Sequence, residues 1–98
     1  HKQVKYQLGK KHFDKAVKIA ESIEGKYWKS RSFAEIAESL YNEGLVDESL
    51  KMYDRAVEIA VDVSDDYYNL DLLSEIIESL SNKGLYDKAN QVVDDIPR

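Results

Sequence analysis

The chain repeats itself at an offset of 40 residues. Residues 35–47 align with residues 75–87, and nine of these thirteen positions are identical. The same offset aligns residues 13–20 with residues 53–60. Periods of about 20–50 residues are typical of solenoids and arrays, in which each unit buries its apolar face against the next one. The repeat therefore predicts a fold built from stacked copies of one small unit.

Within each unit the apolar residues recur at helical spacing, in two stripes separated by Gly44 or Gly84. In the first unit the stripes are Phe33, Ile36, Ala37 and Leu40, then Val46, Ser49, Tyr53, Ala56 and Ala60. In the second unit they are Leu73, Ile76, Ile77 and Leu80, then Tyr86, Ala89, Val93 and Ile96. Each unit is thus predicted to be an antiparallel pair of helices, which we call helix A and helix B.

Glycines and a capping pattern indicate where the helices begin and end. Gly44 and Gly84 are expected to end the A helices in the left-handed conformation. Ser32 followed by Glu35 matches a capping box, which predicts that the first A helix begins there. Gly25 marks a further stop. Five helices are predicted, over residues 5–23, 32–43, 46–62, 66–83 and 86–96.

The predicted fold class is all-α, a right-handed α-solenoid of antiparallel helix pairs with about 2.5 repeats of period 40. A single helical-repeat domain is expected over residues 1–98, with a half repeat over 1–25 and repeats over 26–65 and 66–98. A length of 98 residues, with 43% apolar and 34% charged residues, suits one globular domain.

Other classes of protein are disfavoured by composition. Cysteine is absent, which excludes disulfides and thiolate metal sites and favours a cytoplasmic location. No apolar run approaches the roughly 20 residues of a membrane span, so no membrane association is expected.

Charge is distributed unevenly along the chain. Residues 1–31 hold nine basic and three acidic side chains, whereas residues 32–98 hold five basic and sixteen acidic ones. Such a dipolar distribution steers encounters and favours head-to-tail contacts. Solvation of helix surfaces by charge explains the same distribution without any partner.

No pattern of residues predicts catalysis. His1 is terminal, and His12 lies in a lysine-rich stretch without a neighbouring ligand set. Adjacent acids such as Asp65 and Asp66 need a dry pocket to act as an acid–base pair, and at this spacing they are expected to face solvent. The sequence also lacks a phosphate-binding glycine loop and a calcium loop. We therefore expect a non-enzymatic protein without catalytic residues, metal or cofactor.

The unit around Gly44 resembles the tetratricopeptide repeat (TPR). The matching positions are Phe33, Ile36, Ala37, Leu40, Gly44, Val46, Ser49, Tyr53 and Ala56, and in the second unit Leu73, Ile76, Ile77, Leu80, Gly84, Tyr86, Ala89, Val93 and Ile96. The resemblance covers nearly the whole chain, but the period of 40 exceeds the family's 34 or so, and no proline closes helix B. The chain is TPR-like on this pattern.

The resemblance implies a protein-interaction scaffold that holds a peptide or protein partner in a groove lined by the A helices. The positions that match groove-facing sites are Arg31, Ala34, Glu38, Tyr41 and Asn42, then Asp71, Ser74, Glu78, Ser81 and Asn82. All except Ala34 are candidate partner-binding residues. Asn42 and Asn82 are expected to bond an extended backbone, while Glu38 and Glu78 favour a basic partner. The lysine–asparagine clamp for carboxylates, found in some members of that family, is absent.

Two alternatives are left open. The helix pairs also resemble pentatricopeptide repeats, which bind single-stranded RNA, but the acidic region 32–98 disfavours phosphate binding. The aromatic pair Tyr27–Trp28 recurs as Tyr67–Tyr68 in an acidic context, so we expect it to pack between units. The other alternative is a homo-oligomer formed through exposed end helices. The apolar residues available for that contact are Val4, Tyr6 and Leu8 at one end, and Val92, Val93 and Ile96 at the other.

Overall fold

The computed structural model describes residues 12–96, and within that range the chain is all-helical, without a strand. The five helices are α1 (Phe13–Ser22), α2 (Lys26–Asn42), α3 (Val46–Val61), α4 (Asp66–Asn82) and α5 (Tyr86–Asp94). The predicted bounds of α3, α4 and α5 are confirmed to within two residues. Helices α2 and α4 correspond to the predicted A helices, and α1, α3 and α5 to the predicted B helices.

The turns between helices of a pair are built as the glycines predict. Gly44 has φ of +83° and Gly84 has φ of +76°. After α2, the Leu45 N–H donates to the Leu40 carbonyl and the Gly44 N–H donates to the Tyr41 carbonyl. Leu85 and Gly84 repeat this pattern after α4. These paired bonds satisfy the last carbonyl groups of each A helix, which only a residue tolerant of positive φ allows.

The predicted start of the first A helix is wrong. Helix α2 begins at Lys26, with Gly25 as its N-cap, and Ser32 is buried in mid-helix. Its hydroxyl has no hydrogen-bond partner among the described residues, so it does not form the predicted capping box with Glu35. Since no Gly or Pro interrupts the sequence between Gly25 and Gly44, the helix continues from one glycine to the next.

The predicted first helix, residues 5–23, is also wrong at His12. This residue is the non-helical N-cap of α1, with φ of −96° and ψ of 67°. Residues 5–11 lie outside the described residues.

Helices α2 and α3 form an antiparallel pair that two buried serine hydroxyls join. Ser30 Oγ donates to the Ala56 carbonyl at 2.8 Å, and Ser49 Oγ donates to the Ala37 carbonyl at 2.6 Å. Residue numbers rise along α2 as they fall along α3 in these two contacts, as an antiparallel arrangement requires. The predicted antiparallel pairing of helices A and B is thus present in the first unit.

Helices α2 and α4 run parallel, because the bonds between them join residues a constant distance apart in sequence. Tyr27 contacts Asp71 and Arg31 contacts Glu75, each pair separated by 44 positions. The B helices are joined at a separation of 34 positions, by Arg55 with Glu21 and by Lys88 with Asp54.

These separations give the displacement between successive units. Contacts between the A helices join residues 44 positions apart, four more than the sequence period of 40. Contacts between the B helices join residues 34 positions apart, six fewer than that period. Because A and B run in opposite directions, both offsets move the second unit the same way. At 1.5 Å per residue, the displacement is about 6–9 Å along the helix axes.

The core is formed mainly by α2, α3 and α4, and α1 and α5 add smaller buried residues such as Ala20 and Val92. Its larger members are Phe33, Ile36, Leu40, Tyr53, Leu72, Leu73, Ile76 and Leu80. Three residues predicted to lie on apolar stripes, Val46, Tyr86 and Val93, are instead exposed. Val46 and Tyr86 open their helices beside the turns, and on α5 the neighbouring Val92 is buried in place of Val93. Within the described range, no helix is both long and apolar enough to cross a membrane.

Candidate functional site

The candidate residues lie along the boundary between the two A helices. We call this surface the α2–α4 face. Its members are Tyr27, Arg31, Glu35, Glu38, Tyr41, Asp71, Glu75, Glu78, Asn82 and Lys83. It follows the parallel helices for most of their length, so side chains from both units contribute to one continuous surface.

Aromatic rings pack at the end of this face where both helices begin. The ring of Tyr27 contacts that of Tyr68 in an edge-on arrangement, with centroids 5.2 Å apart. Trp28 and Tyr67 continue the row on either side, at 5.0 and 5.3 Å. The predicted packing of the aromatic pair between units is therefore confirmed for Tyr27 and Tyr68. Trp28 is 56% exposed and Tyr67 is 73% exposed, so the row is open to solvent at both ends.

An ion pair links the two helices at the next turn. Arg31 Nη1 lies 2.7 Å from Glu75 Oε2 and also donates to the Tyr27 hydroxyl at 3.2 Å. The Tyr27 hydroxyl in turn donates to Asp71 Oδ2 at 3.2 Å. Burial alone lowers the pKa of Arg31, but the hydrogen bond to Tyr27 and the charge of Glu75 raise it above its ordinary value. Arg31 is therefore a fixed cation whose charge is directed at residues of this chain.

A second link closes the other end of the face. Lys83 Nζ lies 3.5 Å from Glu38 Oε2, and it donates to Ser79 Oγ at 3.2 Å. The Tyr41 hydroxyl donates to the Lys83 carbonyl, and the Lys83 ammonium lies 5.7 Å from the centre of the Tyr41 ring. Lys83 is thus enclosed by contacts from both A helices.

Tyr53 connects helix α3 to helix α4 through Ser79, the same residue that Lys83 contacts. Tyr53 is fully buried, and its hydroxyl lies 2.6 Å from Ser79 Oγ. Burial raises the pKa of the Tyr53 phenol, and the hydrogen bond with Ser79 offsets part of that rise. A phenol that stays protonated at neutral pH acts as a structural support for the face above it.

A cleft of about 70 Å³ opens between the two links. Its walls are Ser30, Arg31, Ala34, Glu35 and Glu38 from α2, and Leu72, Glu75, Ile76 and Ser79 from α4. Glu35 Oε2 is buried and has no hydrogen-bond partner among the described residues. A hydrated site needs roughly 10–15 Å³ for each water molecule, so the cleft has room for one ammonium group or a few waters.

The nine predicted binding residues are only partly brought together. Arg31 and Glu38 line the cleft, and a shallower depression beside it includes Arg31, Glu38, Glu78 and Asn82. Tyr41 and Asp71 are both half-buried. Tyr41 bonds to Lys83, the residue after α4, and Asp71 bonds to Tyr27 on α2. Ser74 and Asn42 are exposed and Ser81 is half-buried, but none of these three lines either depression. Asn42 and Asn82, expected to act alike, therefore have different surroundings.

Sequence reasoning missed Glu75 and Lys83, which lie on the same surface as the predicted residues. Positions were paired at the sequence period of 40, whereas the contacts across α2 and α4 join residues 44 or 45 apart. The available signal was charge, because Glu75 lies opposite Arg31 and Lys83 lies opposite Glu38 once the units are displaced by a turn.

Acidic groups outnumber basic ones on the α2–α4 face. The acids are Glu35, Glu38, Asp71, Glu75 and Glu78, and the bases are Arg31 and Lys83. In residues 12–96 no cluster of three His, Asp or Glu side chains has the arrangement of a metal site. Comparison with known proteins found no matching family model, no matching curated protein and no matching solved structure.

Proposed function

We propose that the chain is a non-enzymatic, TPR-like interaction module that binds a basic peptide or protein segment along its α2–α4 face. In this proposal the two complete helix pairs and α1 are successive turns of a right-handed solenoid. The parallel A helices, displaced in one sense from unit to unit, support that arrangement. The lack of cysteine supports a cytoplasmic location.

One observation carries the proposal: the cations of the face are more covered than the carboxylates they bind. The side chain of Lys83 is 13% exposed, whereas that of its partner Glu38 is 51% exposed. For Arg31 and Glu75 the values are 35% and 51%. Because the positive groups are held inside and the acids outnumber them, the surface presents a negative potential to a partner.

The cleft between the links gives this potential a specific point of attachment. A lysine side chain of the partner, inserted into the cleft, would place its ammonium group close to the carboxylates of Glu35 and Glu75. Charged groups brought together in a partly buried site interact more strongly than at an open surface. We therefore expect a basic segment with one lysine in the cleft and further basic groups near Glu38 and Glu78.

Binding of a fluorescently labelled lysine-rich peptide tests the proposal. Glu38→Lys combined with Glu78→Lys should weaken binding by at least about tenfold, because two attractions become repulsions. Glu48→Lys combined with Glu58→Lys is the matched control, since it makes the same change of net charge on α3, away from the face. Equal weakening in both double variants would show attraction to net charge alone and contradict the proposed site.

A conservative variant examines the cleft itself. Glu35→Gln keeps the shape of the side chain and removes its charge, so the peptide should bind less tightly while thermal stability is retained. An arginine peptide of the same length is the comparison, because the planar guanidinium is larger than the ammonium group. If Glu35→Gln leaves the lysine peptide's affinity unchanged, the partner does not enter the cleft.

Self-association is a second candidate function. The last helix exposes Tyr86 and Val93, and the end of α3 exposes Val61. Exposed apolar residues at an end helix favour burial against another molecule. The pentatricopeptide-like alternative has less support, because Asp65, Asp66 and Asp71 lie within four residues of Tyr67 in the sequence and would repel phosphate.

A further inference from the structure

The second unit exposes positions whose equivalents the first unit covers. Tyr53 is fully buried, whereas Val93, 40 residues later, is 39% exposed. Tyr27 is half-buried against α4, whereas its equivalent Tyr67 is 73% exposed. The difference arises because α4 covers the first unit, while none of the described helices covers the second.

Certain residues of the first unit contact α4. We define the edge face as the residues of the second unit that lie 40 positions after them in the sequence. The side chains that make hydrogen bonds or ion pairs with α4 or with Lys83 are Tyr27, Arg31, Glu38, Tyr41 and Tyr53. The edge face is therefore Tyr67, Asp71, Glu78, Ser81 and Val93. The contacts between the first unit and α4, which we call the covered interface, therefore serve as a template for what the edge face can bind.

Charge specifies the helix that fits this template. In the covered interface Arg31 binds Glu75 and Glu38 binds Lys83. The edge-face equivalents of Arg31 and Glu38 are Asp71 and Glu78, and both are acidic. In the covered interface the positions that face Arg31 and Glu38 hold one acid, Glu75, and one base, Lys83. A helix docked on the edge face in the same geometry must instead carry a basic residue at both of these positions.

We propose that the edge face binds an amphipathic helix of a partner protein, lying parallel to α4. Its two basic residues are eight positions apart, as residues 75 and 83 are in this chain. An aromatic residue seven positions before the first base covers Tyr67, as Tyr68 covers Tyr27. Apolar residues between these points rest on Val93 and on the outer side of α4. The edge face shares Asp71 and Glu78 with the α2–α4 face, but the helix proposed here lies on the outer side of α4 and does not require the basic segment to bind.

A second copy of this chain fits the edge face less well. If its α2 docked there, Glu35 and Glu43 would take the places of Glu75 and Lys83. Glu35 would meet Asp71, and Glu43 would meet Glu78. Like charges placed opposite each other disfavour a contact, so the template selects a different and more basic helix.

Helix α4 itself supplies the probe. A peptide of residues 65–85 already has the aromatic residue and Lys83, and one substitution, Glu75→Arg, provides the missing base. Short helices are marginal in water, so both peptides need a hydrocarbon staple. Positions 74 and 78 suit the staple. Their equivalents in the first unit, Ala34 and Glu38, line the side of α2 that faces α4, the next helix in the stack. A staple at these positions therefore lies away from the surface on which the peptide docks. The unmodified stapled peptide is the matched control.

Binding is measured with the full 98-residue chain by fluorescence anisotropy. The Glu75→Arg peptide should bind at least about tenfold more tightly than the control peptide, because attraction to Asp71 replaces repulsion. Asp71→Arg in the protein should reverse that order, since it recreates the pairing of Arg31 with Glu75. Tyr67→Ser, at an exposed position, should weaken both peptides without unfolding the chain.

Two results would overturn the proposal. One is equal affinity for the two peptides, or a preference that Asp71→Arg does not reverse. The other is a dimer of the chain that Val93→Glu dissociates, which would make a second copy the occupant. Glu38→Lys separates the two proposals, because it should weaken binding of the lysine-rich peptide and leave the affinity for the stapled helix unchanged.

Discussion

The hydroxyl of Ser49 on α3 donates a buried hydrogen bond of 2.6 Å to the carbonyl oxygen of Ala37 on α2. The equivalent positions in the second unit are Ala89 and Ile77, which cannot form this bond. A side-chain hydroxyl therefore reinforces the first helix pair at a point where packing alone joins the second.

Removing that hydroxyl should destabilise the protein measurably. We expect Ser49→Ala to lower the free energy of unfolding by about 0.5–1.5 kcal/mol, the usual net value of a hydrogen bond. Urea denaturation followed by circular dichroism measures the change. Ser74→Ala, at an exposed helical position, is the control and should be close to neutral. Equal effects from the two substitutions would mean that the bond contributes nothing beyond helix propensity.

The two alanines at the closest approach of α2 and α3 should not tolerate larger side chains. Ala37 and Ala56 are fully buried, and each accepts a serine hydrogen bond through its carbonyl group. Ala37→Leu and Ala56→Leu should each cost about 1–3 kcal/mol through overpacking. Thermal unfolding measures the effect, with Ser74→Leu at an exposed position of α4 as the control. Unchanged midpoints for both buried variants would contradict the helix crossing described above.

The turn glycines allow a test in which steric contact plays no part. A Cβ atom at Gly44 would meet no other atom within 4 Å, so Gly44→Ala reports only the cost of φ at +83°. We expect a loss of about 1–2 kcal/mol, and a smaller loss for Gly44→Asn. Gly25 has φ of −76°, and a Cβ atom there would lie 3.7 Å from Trp28, an ordinary contact. Gly25→Ala should therefore be close to neutral, because the gain from a less flexible unfolded chain is offset by the preference for glycine over alanine at an N-cap.

Helical spacing and glycine position were enough to predict the all-helical class and the bounds of α3, α4 and α5 to within two residues. Phe33, Ile36 and Leu40 are buried as their stripe predicts, because helix periodicity fixes which residues share a face. The start of α2 was missed because Ser32 and Glu35 match a capping pattern locally, whereas tertiary contacts of Tyr27 and Ser30 hold the preceding turns in the helix. Local sequence cannot weigh a cap against packing with distant helices.

The candidate site was predicted less completely than the fold. The resemblance to the repeat pattern predicts that Arg31 and Glu38 face a groove lined by the A helices, but it does not indicate their partners Glu75 and Lys83. The displacement between units determines those pairs, and it depends on how whole helices pack, which the repeat period does not contain. The exposure of Val93 follows from the same cause, since only the structure shows which helix covers which unit.

Acid should weaken the link between α1 and α3. Arg55 binds Glu21 through two hydrogen bonds, of 3.0 and 3.1 Å, which hold the pKa of Glu21 below its ordinary value. A carboxylate with a lowered pKa in the folded state stabilises the protein above its ordinary pKa. That stabilisation is lost as the pH falls through the folded-state pKa. The pair is partly exposed, so its contribution is only about 0.2–1 kcal/mol.

Comparing Glu21→Gln with the wild-type chain from about pH 7 to about pH 2 isolates this contribution. The difference in unfolding free energy should be largest at neutral pH and should disappear at the acid end. Glu24→Gln, at an exposed position between α1 and α2, is the control and should show a smaller difference throughout. A Glu21→Gln difference that persists at low pH would mean that the charge of Glu21 is not what stabilises the contact.

Light scattering of the purified chain across a salt series separates outside partners from self-association. The monomer has a mass of 11.3 kDa, and from about 50 mM to 1 M salt the screening length falls to roughly 3 Å. We expect a monomer throughout, because a second copy would place Glu35 and Glu43 against the acidic edge face. Oligomers that dissociate as salt rises would instead show that the basic region 1–31 contacts the acidic region of another copy. Oligomers that persist at 1 M salt and are lost in Val93→Glu would indicate an apolar contact through α5, and self-assembly would then replace peptide binding as the leading function.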